Sequence, residues 1–264
     1  MFRTLVPAAL LGAAVVAAPA TAAIDVTITI ENLSPDAGTN LTPFWVGFHD
    51  GGFDLFNQGE AASAGLERLA EDGSISPLSD MFNASGFGGG DGIVAPGGPF
   101  APGAIASTTF SLDESAASSR FFSYAAMVLP SNDAFVGNGD ATGIEIFDAN
   151  GNFTGGDFFI TGANVYDAGT EVNDELPENT AFFGQAAPDT GVTEGGTVGL
   201  HPGFLGSAGN PGTPSILADP NFAGADFTLA GYPIARITIT AVPAPGALAL
   251  LGLAGFAGRR RRRG

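Results

Sequence analysis

Cysteine and lysine are both missing from this chain. Without cysteine there is no disulfide framework and no thiol nucleophile, so stability must come from a packed core. The nine basic residues are all arginine: Arg3, Arg68, Arg120, Arg236 and Arg259–Arg263. Residues 24–241 therefore hold three arginines against all 27 acidic residues, a net charge of −24. Binding to a phosphate backbone depends on cationic side chains, so nucleic acid is excluded as a partner. Such a surface also repels anionic lipid unless cations bridge the two, and salt or divalent ions would screen its self-repulsion. Histidine is nearly absent too. His49, beside Asp50 and near Asp54, and His201 are the only two, and no G-x-S-x-G motif accompanies them, which leaves little material for a catalytic triad.

Long apolar runs occur only at the two ends. Met1–Arg3 is a short basic start, Leu5 to Ala18 is apolar, and small residues follow at Ala18, Ala20, Ala22 and Ala23. This pattern reads as a secretory signal peptide over 1–23. The other end, 242–264, reads "VPAPGALALLGLAGFAGRRRRRG". Its apolar stretch, Gly246 to Gly258, would cover roughly 20 Å as a helix, short of the roughly 30 Å hydrocarbon core. It is a marginal transmembrane helix, with the arginines expected to stay on the cytoplasmic side. The order Val-Pro-x-Pro, short apolar segment, arginine cluster resembles the PEP-CTERM class of sorting signals, with Ala244 where the usual pattern has Glu. That resemblance implies an exosortase-type transpeptidase as partner of the tail. It also implies export to the cell surface or beyond, with transient anchoring in the inner membrane; a simple membrane anchor is the alternative.

The 24–241 domain is long enough to bury about 70% of the unfolded chain's surface. Helix signals are few among 40 glycines and 18 prolines. "IDVTITIENLS" (24–34) alternates apolar and polar residues, as does "ARITITAV" (235–242), and these first and last strands are candidate neighbours in one sheet. Strands are also predicted in 41–50, 105–113, 120–130 and 143–161, the last as a hairpin around Asn150-Gly151. Residues 60–73 carry Leu66, Leu69 and Ala70 at helical spacing with Gly73 at the end, which predicts a short helix. Long Gly/Pro-rich loops are expected at 83–104 and 184–215, with the glycine-rich 86–98 read as surface loop. The pattern is all-β: an antiparallel β-sandwich with long Gly/Pro-rich loops and one or two short helices.

"YDAGTEVNDE" (166–175) places Asp167, Glu171, Asp174 and Glu175 in ten residues without one basic residue. Two carboxylates about 4 Å apart repel by roughly 4 kcal/mol at an effective dielectric near 20, so water, protons or a cation must relieve the crowding. Asp133 follows the apolar run 121–129 at a strand end, where it could cap a turn or hold a metal. Oxygen-rich clusters without Cys or His suit Ca2+. "DANGNFTGGDFF" (148–159) begins like an EF-hand loop, but Phe153 stands where Gly is required and Phe159 where Glu is; a turn explains it better.

Over most of the mature region the order of these stretches resembles the spondin domain of F-spondin-like extracellular matrix proteins. The stretches that carry the likeness are "ITIENLSPDAGTNLTPFWVGFHDGGFDLFNQGEAASAGLERLAEDG" (28–73), "FFSYAAMVLPSNDAFVG" (121–137), "YDAGTE" (166–171) and "DTGVTEGG...HPGFLG" (189–206). The resemblance implies a C2-like antiparallel β-sandwich with a Ca2+ site built from loop carboxylates. By position its ligands would be Asp133, Asp167 and Glu171. Glu171 is one methylene longer than the family's Asp, and Asn132 replaces a proline, which predicts a looser loop before Asp133. Asp174, Glu175 and Glu178 read as solvated loop charge. The function implied is non-enzymatic: adhesion or matrix assembly, with surface polysaccharide or a matrix protein as partner. Two alternatives stay open, a secreted hydrolase acting on surface glycans through paired carboxylates and a purely structural acidic coat protein adapted to salt.

Overall fold

The computed structural model describes residues 23–205 and 215–242. The expected leader and C-terminal signal lie outside the described residues, apart from Ala23 and Val242. Among the described residues no helix is long and apolar enough to cross a membrane; the stretch 246–258 is not among them. In chain order the elements are β1 (Ala23–Asn32), β2 (Asn40–Leu41), β3 (Phe44–His49), α1 (Ala64–Asp72), α2 (Ser76–Ser85), β4 (Gly88–Val94) and β5 (Ile105–Asp113). Then follow β6 (Phe121–Leu129), β7 (Ala134–Gly137), β8 (Gly156–Thr161), β9 (Val165–Asp167), β10 (Gly199–Leu200) and β11 (Pro233–Ala241).

Two antiparallel sheets face each other, as an all-β sandwich requires. One has the order β5-β1-β11-β8; the other runs β10-β9-β7-β6-β3-β4, with β2 paired to β6. The first and last strands are neighbours, with Ile28 opposite Ile239 and Ile30 opposite Ile237. Alternation does the work in β1. Val26, Ile28 and Ile30 point into the core, while Thr27 and Thr29 hydrogen-bond Thr109 and Ser107 of β5 on the outer face, each at 2.8 Å.

Strands β3 and β6 follow a different rule. They are buried along their whole length, so they read as near-continuous apolar runs, as strands covered on both faces do. Phe44, Val46, Phe48, Phe122, Tyr124, Ala126 and Val128 face the other sheet. Trp45 and Ala125 face the opposite way, into a second core with Leu66, Leu69 and Ala70 of α1 and Leu78 and Phe82 of α2. The two helices thus form a third layer. Ser63 caps α1, its hydroxyl accepting the Leu66 N–H at 3.2 Å. Gly73 ends α1 in the left-handed region (φ 65°), and Ser74 N–H closes onto Arg68 C=O at 3.0 Å.

Two sequence expectations need correction. The glycine-rich segment 86–98 is not simply surface loop, because β4 pairs with β3 along its length. Its glycines admit neighbours: a Cβ on Gly88 would stand 2.4 Å from Phe82 Cε1, and one on Gly92 would stand 2.7 Å from Phe110 Cε1. Likewise 143–161 is not two full strands. Only β8 is regular; before it, Phe147 and Phe153 form a single bridge around a turn. Asp148 holds that turn by accepting the N–H groups of Asn150 (2.8 Å) and Asn152 (2.9 Å).

Gly65 is where the two helices meet: a Cβ there would lie 2.9 Å from Leu78 Cα and 3.1 Å from Pro77 C=O. On an exposed helix surface Gly→Ala gains up to about 1 kcal/mol. Here overpacking reverses the sign, and Gly65→Ala should lower the unfolding free energy by about 1–3 kcal/mol in urea titrations.

Candidate functional site

The antiparallel register of β7 against β9 sets Ala134 opposite Asp167. It thereby brings the β6–β7 turn against the segment after β9. Asp133 is fully buried. Its Oδ2 accepts Thr170 N–H at 2.8 Å, Glu171 N–H at 3.1 Å and the Thr170 hydroxyl at 3.2 Å. Its Oδ1 is buried without a hydrogen-bond partner. Asp167, half-buried at the end of β9, accepts Gly169 N–H at 2.6 Å and Asn173 Nδ2 at 2.5 Å. Asn173 Oδ1 in turn lies 3.1 Å from His201 Nε2. His201 Nδ1 accepts Gly203 N–H at 3.0 Å, so the network assigns the ring proton to Nε2. Burial holds the His201 pKa down at about 4 against the pull of Asp167; the ring is a neutral structural link.

Glu171 is 3% exposed. Its Oε1 accepts Gly191 N–H at 2.9 Å, while Oε2 is buried without a hydrogen-bond partner. The three acids singled out in the sequence therefore share one cluster, in which Asp133 feels the charge of Asp167 and Glu171 feels that of Asp133. What the sequence did not indicate is the other wall. Glu71 and Asp72, from the last turn of α1, also act on Glu171. Asp72 Oδ2 pairs with Arg68 Nη2, and Arg68 Nη1 lies 3.5 Å from Glu71 Oε2 and 3.6 Å from Asp189 Oδ1. One arginine thus serves three acids.

These carboxyls hold their protons unusually well. Burial, then the Glu71 charge, pushes Glu171 up to about 8, against the Gly191 N–H. Burial raises Glu71 to about 7, with Glu67 and Asp72 adding to it and the Thr170 hydroxyl and Arg68 opposing. Asp133 rises to about 6 through burial and the Asp167 charge, even with its N–H donors working the other way.

Two further expectations are corrected. Glu175 is not solvated charge. It is buried, and its two carboxylate oxygens accept Leu205 N–H and Ile216 N–H, tying two distant segments together. Asn132 does not loosen its loop either. Its side chain accepts Glu175 N–H at 3.3 Å and donates to Asp174 Oδ1 at 3.2 Å and Asn179 C=O at 3.4 Å. Three contacts replace the rigidity of a proline ring. Asp174 also belongs to this lattice, accepting Leu176 N–H at 2.9 Å and Asn179 Nδ2 at 2.6 Å. Glu178 is exposed, as expected.

A hard divalent cation fits this chemistry on one observation: Asp133 Oδ1 and Glu171 Oε2 are buried oxygen acceptors that no donor satisfies, and an orphaned buried acceptor calls for an ion or water. As the side chains stand, no three His, Cys, Asp or Glu groups converge into a ready-made cation cage among the described residues. Compared with protein-family models and with curated proteins, the chain matches none.

Two predictions follow from the electrostatics and the hydrogen bonding. Between about pH 4.5 and pH 8 the folded state keeps protons on Glu71 and Glu171 that the unfolded chain, at an ordinary pKa of 4.5, has released. The folded state binds more protons, so stability falls as pH rises through this window. Asp113, Asp148 and Asp157, held below 3.8, contribute the opposite slope only below about pH 4. Melting in EGTA should therefore show a midpoint that still declines above about pH 6, and Glu171→Gln should flatten that decline. Separately, Glu175→Ala strands two N–H donors and should lower the unfolding free energy by roughly 2–4 kcal/mol in urea titrations.

Proposed function

We propose that this chain is an exported, non-enzymatic, calcium-binding domain of the spondin type, acting in cell-surface adhesion or extracellular matrix assembly. The observation that carries the reading is the pair of orphaned buried oxygens, Asp133 Oδ1 and Glu171 Oε2. They stand on two of the three positions to which the spondin resemblance assigns ligands, and the third, Asp167, shares their cluster. Asp133, Asp167 and Glu171 would hold the ion. Ca2+ would supply the positive charge that the cluster's own residues lack and would draw further oxygens from backbone and water. Its effect on the chain is organisation: it would hold the β6–β7 turn against the segment after β9 and present a fixed loop surface. The partner class is surface polysaccharide or matrix protein, acidic polysaccharide being reachable through cation bridging because the −24 domain otherwise repels it. The tail 242–264 would deliver the domain to an exosortase-type transpeptidase.

The raised acidity of Glu171 and Asp133 is also what a glycan hydrolase needs in its proton donor. Access weighs against that reading, since Asp133 is fully buried and Glu171 is 3% exposed, whereas a glycosidic oxygen must reach the acid.

Thermal unfolding in high NaCl tests the proposal, first with EGTA and then with CaCl2 or MgCl2 at equal ionic strength. Calcium at about 100 times its Kd should add about 2.7 kcal/mol, and magnesium should not match it. Asp167→Asn should remove the gain. Equal shifts with both ions, untouched by the substitution, would mean that the cluster holds no specific ion and that the ions act only by screening the acidic surface.

A further inference from the structure

A second concavity shares no residue with the acidic cluster. It is an open cleft of about 520 Å³, whose lining includes Pro102, Phe182, Phe183, Asp219, Asn221 and Phe222; small-molecule sites have volumes of this order. Phe182 and Phe183 each meet Phe222 edge-on, with ring centroids 6.2 and 6.3 Å apart and planes inclined at 61° and 65°. The rings therefore stand at steep angles to Phe222 instead of stacking on it. Phe222 is buried and Phe183 half-buried, whereas Phe182 is 53% exposed. Its backbone lies in the left-handed region, with φ 63°, which disfavours a bulky side chain. Core packing gives little reason to hold a large ring there, since so much of it stays in water; backbone strain of this kind collects at ligand sites. The wall is also fastened: Ala181 N–H donates to Ser131 C=O at 3.0 Å and Phe183 N–H to Thr180 C=O at 3.2 Å. Asp219 is the one charged residue of the lining. Its Oδ1 accepts Asn221 N–H at 2.8 Å and Asn221 Nδ2 at 2.9 Å, and among the described residues no arginine pairs with it.

We propose that this cleft binds an organic cation bearing a trimethylammonium group, with Phe182, Phe183 and Phe222 as aromatic walls and Asp219 as the counter-charge. Aromatic faces attract a cation within about 6 Å of the ring centroid, and quaternary ammonium groups are recognised in this way. A methylated ammonium has no N–H to satisfy, so it suits walls that offer no hydrogen bonds. Charge selects the sign. No basic side chain lines the cleft, and a domain of net charge −24 concentrates cations and repels anions. A hard metal ion would need six or more oxygens, where the lining supplies one carboxylate. A neutral sugar would need several convergent hydrogen-bonding side chains; Asn221 is already engaged by Asp219, which leaves Asn40. A free solute and a choline lipid headgroup present the same group, and the test separates them. This inference is independent of the calcium reading.

Saturation-transfer NMR on the methyl protons of choline chloride, titrated into the full chain in EGTA, tests it. The uncharged carbon analogue of choline, with a tert-butyl group in place of the trimethylammonium, is the comparison. Choline should bind about ten-fold more tightly than the analogue. Phe182→Ala and Asp219→Asn should each weaken choline at least about three-fold with the melting midpoint little changed: the Phe182 ring is largely exposed, and Asn at 219 keeps an acceptor for Asn221 N–H. Asp167→Asn should leave choline binding as it is. Co-sedimentation with phosphatidylcholine vesicles that free choline competes away would assign the group to a lipid headgroup, and choline binding without co-sedimentation would assign it to a free solute. No choline binding, equal affinity for choline and the analogue, or a preference for a neutral methyl glycoside would overturn the inference. So would choline binding that both substitutions leave unchanged, which would place the cation on the acidic surface at large.

Discussion

The fork of donors on Asp133 Oδ2 is the interaction on which this molecule's acidic loops depend. Two backbone N–H groups and one hydroxyl from consecutive residues, Thr170 and Glu171, converge on a single oxygen. Hydrogen bonds to a charged acceptor contribute about 1.5–3 kcal/mol each, enough to fix the turn after β9 against the end of β6. Everything around the cluster inherits its position from that join. Glu171 meets Gly191 N–H with its side chain while its own N–H is held by Asp133, and Asp167 closes its Asx turn on Gly169 and reaches Asn173. The fork also satisfies only half of the carboxylate. The unsatisfied Oδ1 follows from spending every local donor on the other oxygen.

A domain with three arginines and 27 acids cannot neutralise its carboxylates with salt bridges, and it solves the problem mainly with amides. Asp167, Asp174, Glu175 and Asp148 each accept backbone N–H or Asn Nδ2 groups. The frequency of Asn and Gly near these acids then has a physical cause. Asn supplies a donor without charge, and Gly supplies an N–H that can approach closely, as at Gly191, where a Cβ would fall 2.1 Å from Glu171 Cδ. Adaptation to salt would concern acids on the surface. It does not account for Glu71, Asp133 and Glu171, which water barely reaches.

The sandwich was legible because its strands carry local signals. Period-two alternation in 24–34 and 235–242 identified both strands, and the pairing of the two emerged as β1 against β11. The Leu66, Leu69 and Ala70 spacing and Gly73 made α1 readable. By contrast β4 was invisible, since "GGGDGIV" carries turn-former composition and is a strand only because Phe82 and Phe110 need the space its glycines leave. The helix α2 was missed for a related reason: only Leu78 and Phe82 of its ten residues are buried, too few to print a helical period. In the site, Asp133, Asp167 and Glu171 were placed together by resemblance, and the β7–β9 register supplies the physical reason. Glu71 could not be found that way. In the sequence it is one acid in "LERLAEDG", and only the packing of α1 turns it inward. No helical phase marks it in the sequence, since Glu71 stands five residues after Leu66 and one after Ala70, off the i+3 and i+4 spacing of one face.

The same energetics explain why a buried acidic cluster is tolerable in a domain of this composition. In an ion-free state the carboxyls keep their protons, which is what a Glu171 pKa near 8 and a Glu71 pKa near 7 mean. A protonated pair has no repulsion but makes poor use of its oxygens, two of which lack any donor. Loss of a proton near neutral pH introduces a charge that only Arg68 stands near, and that guanidinium already serves Asp72 and Asp189. The proposed cation at Asp133, Asp167 and Glu171 would meet such a charge and satisfy the orphaned oxygens of Asp133 and Glu171, provided it displaces the protons. Its binding is then tied to pH, weakening as acid returns the protons. On the proposed reading, a cluster built on this balance would be stable without the ion at low pH and would be held by it at neutral pH. A row of well-paired salt bridges at the same place would hold the loops equally well but would respond to neither.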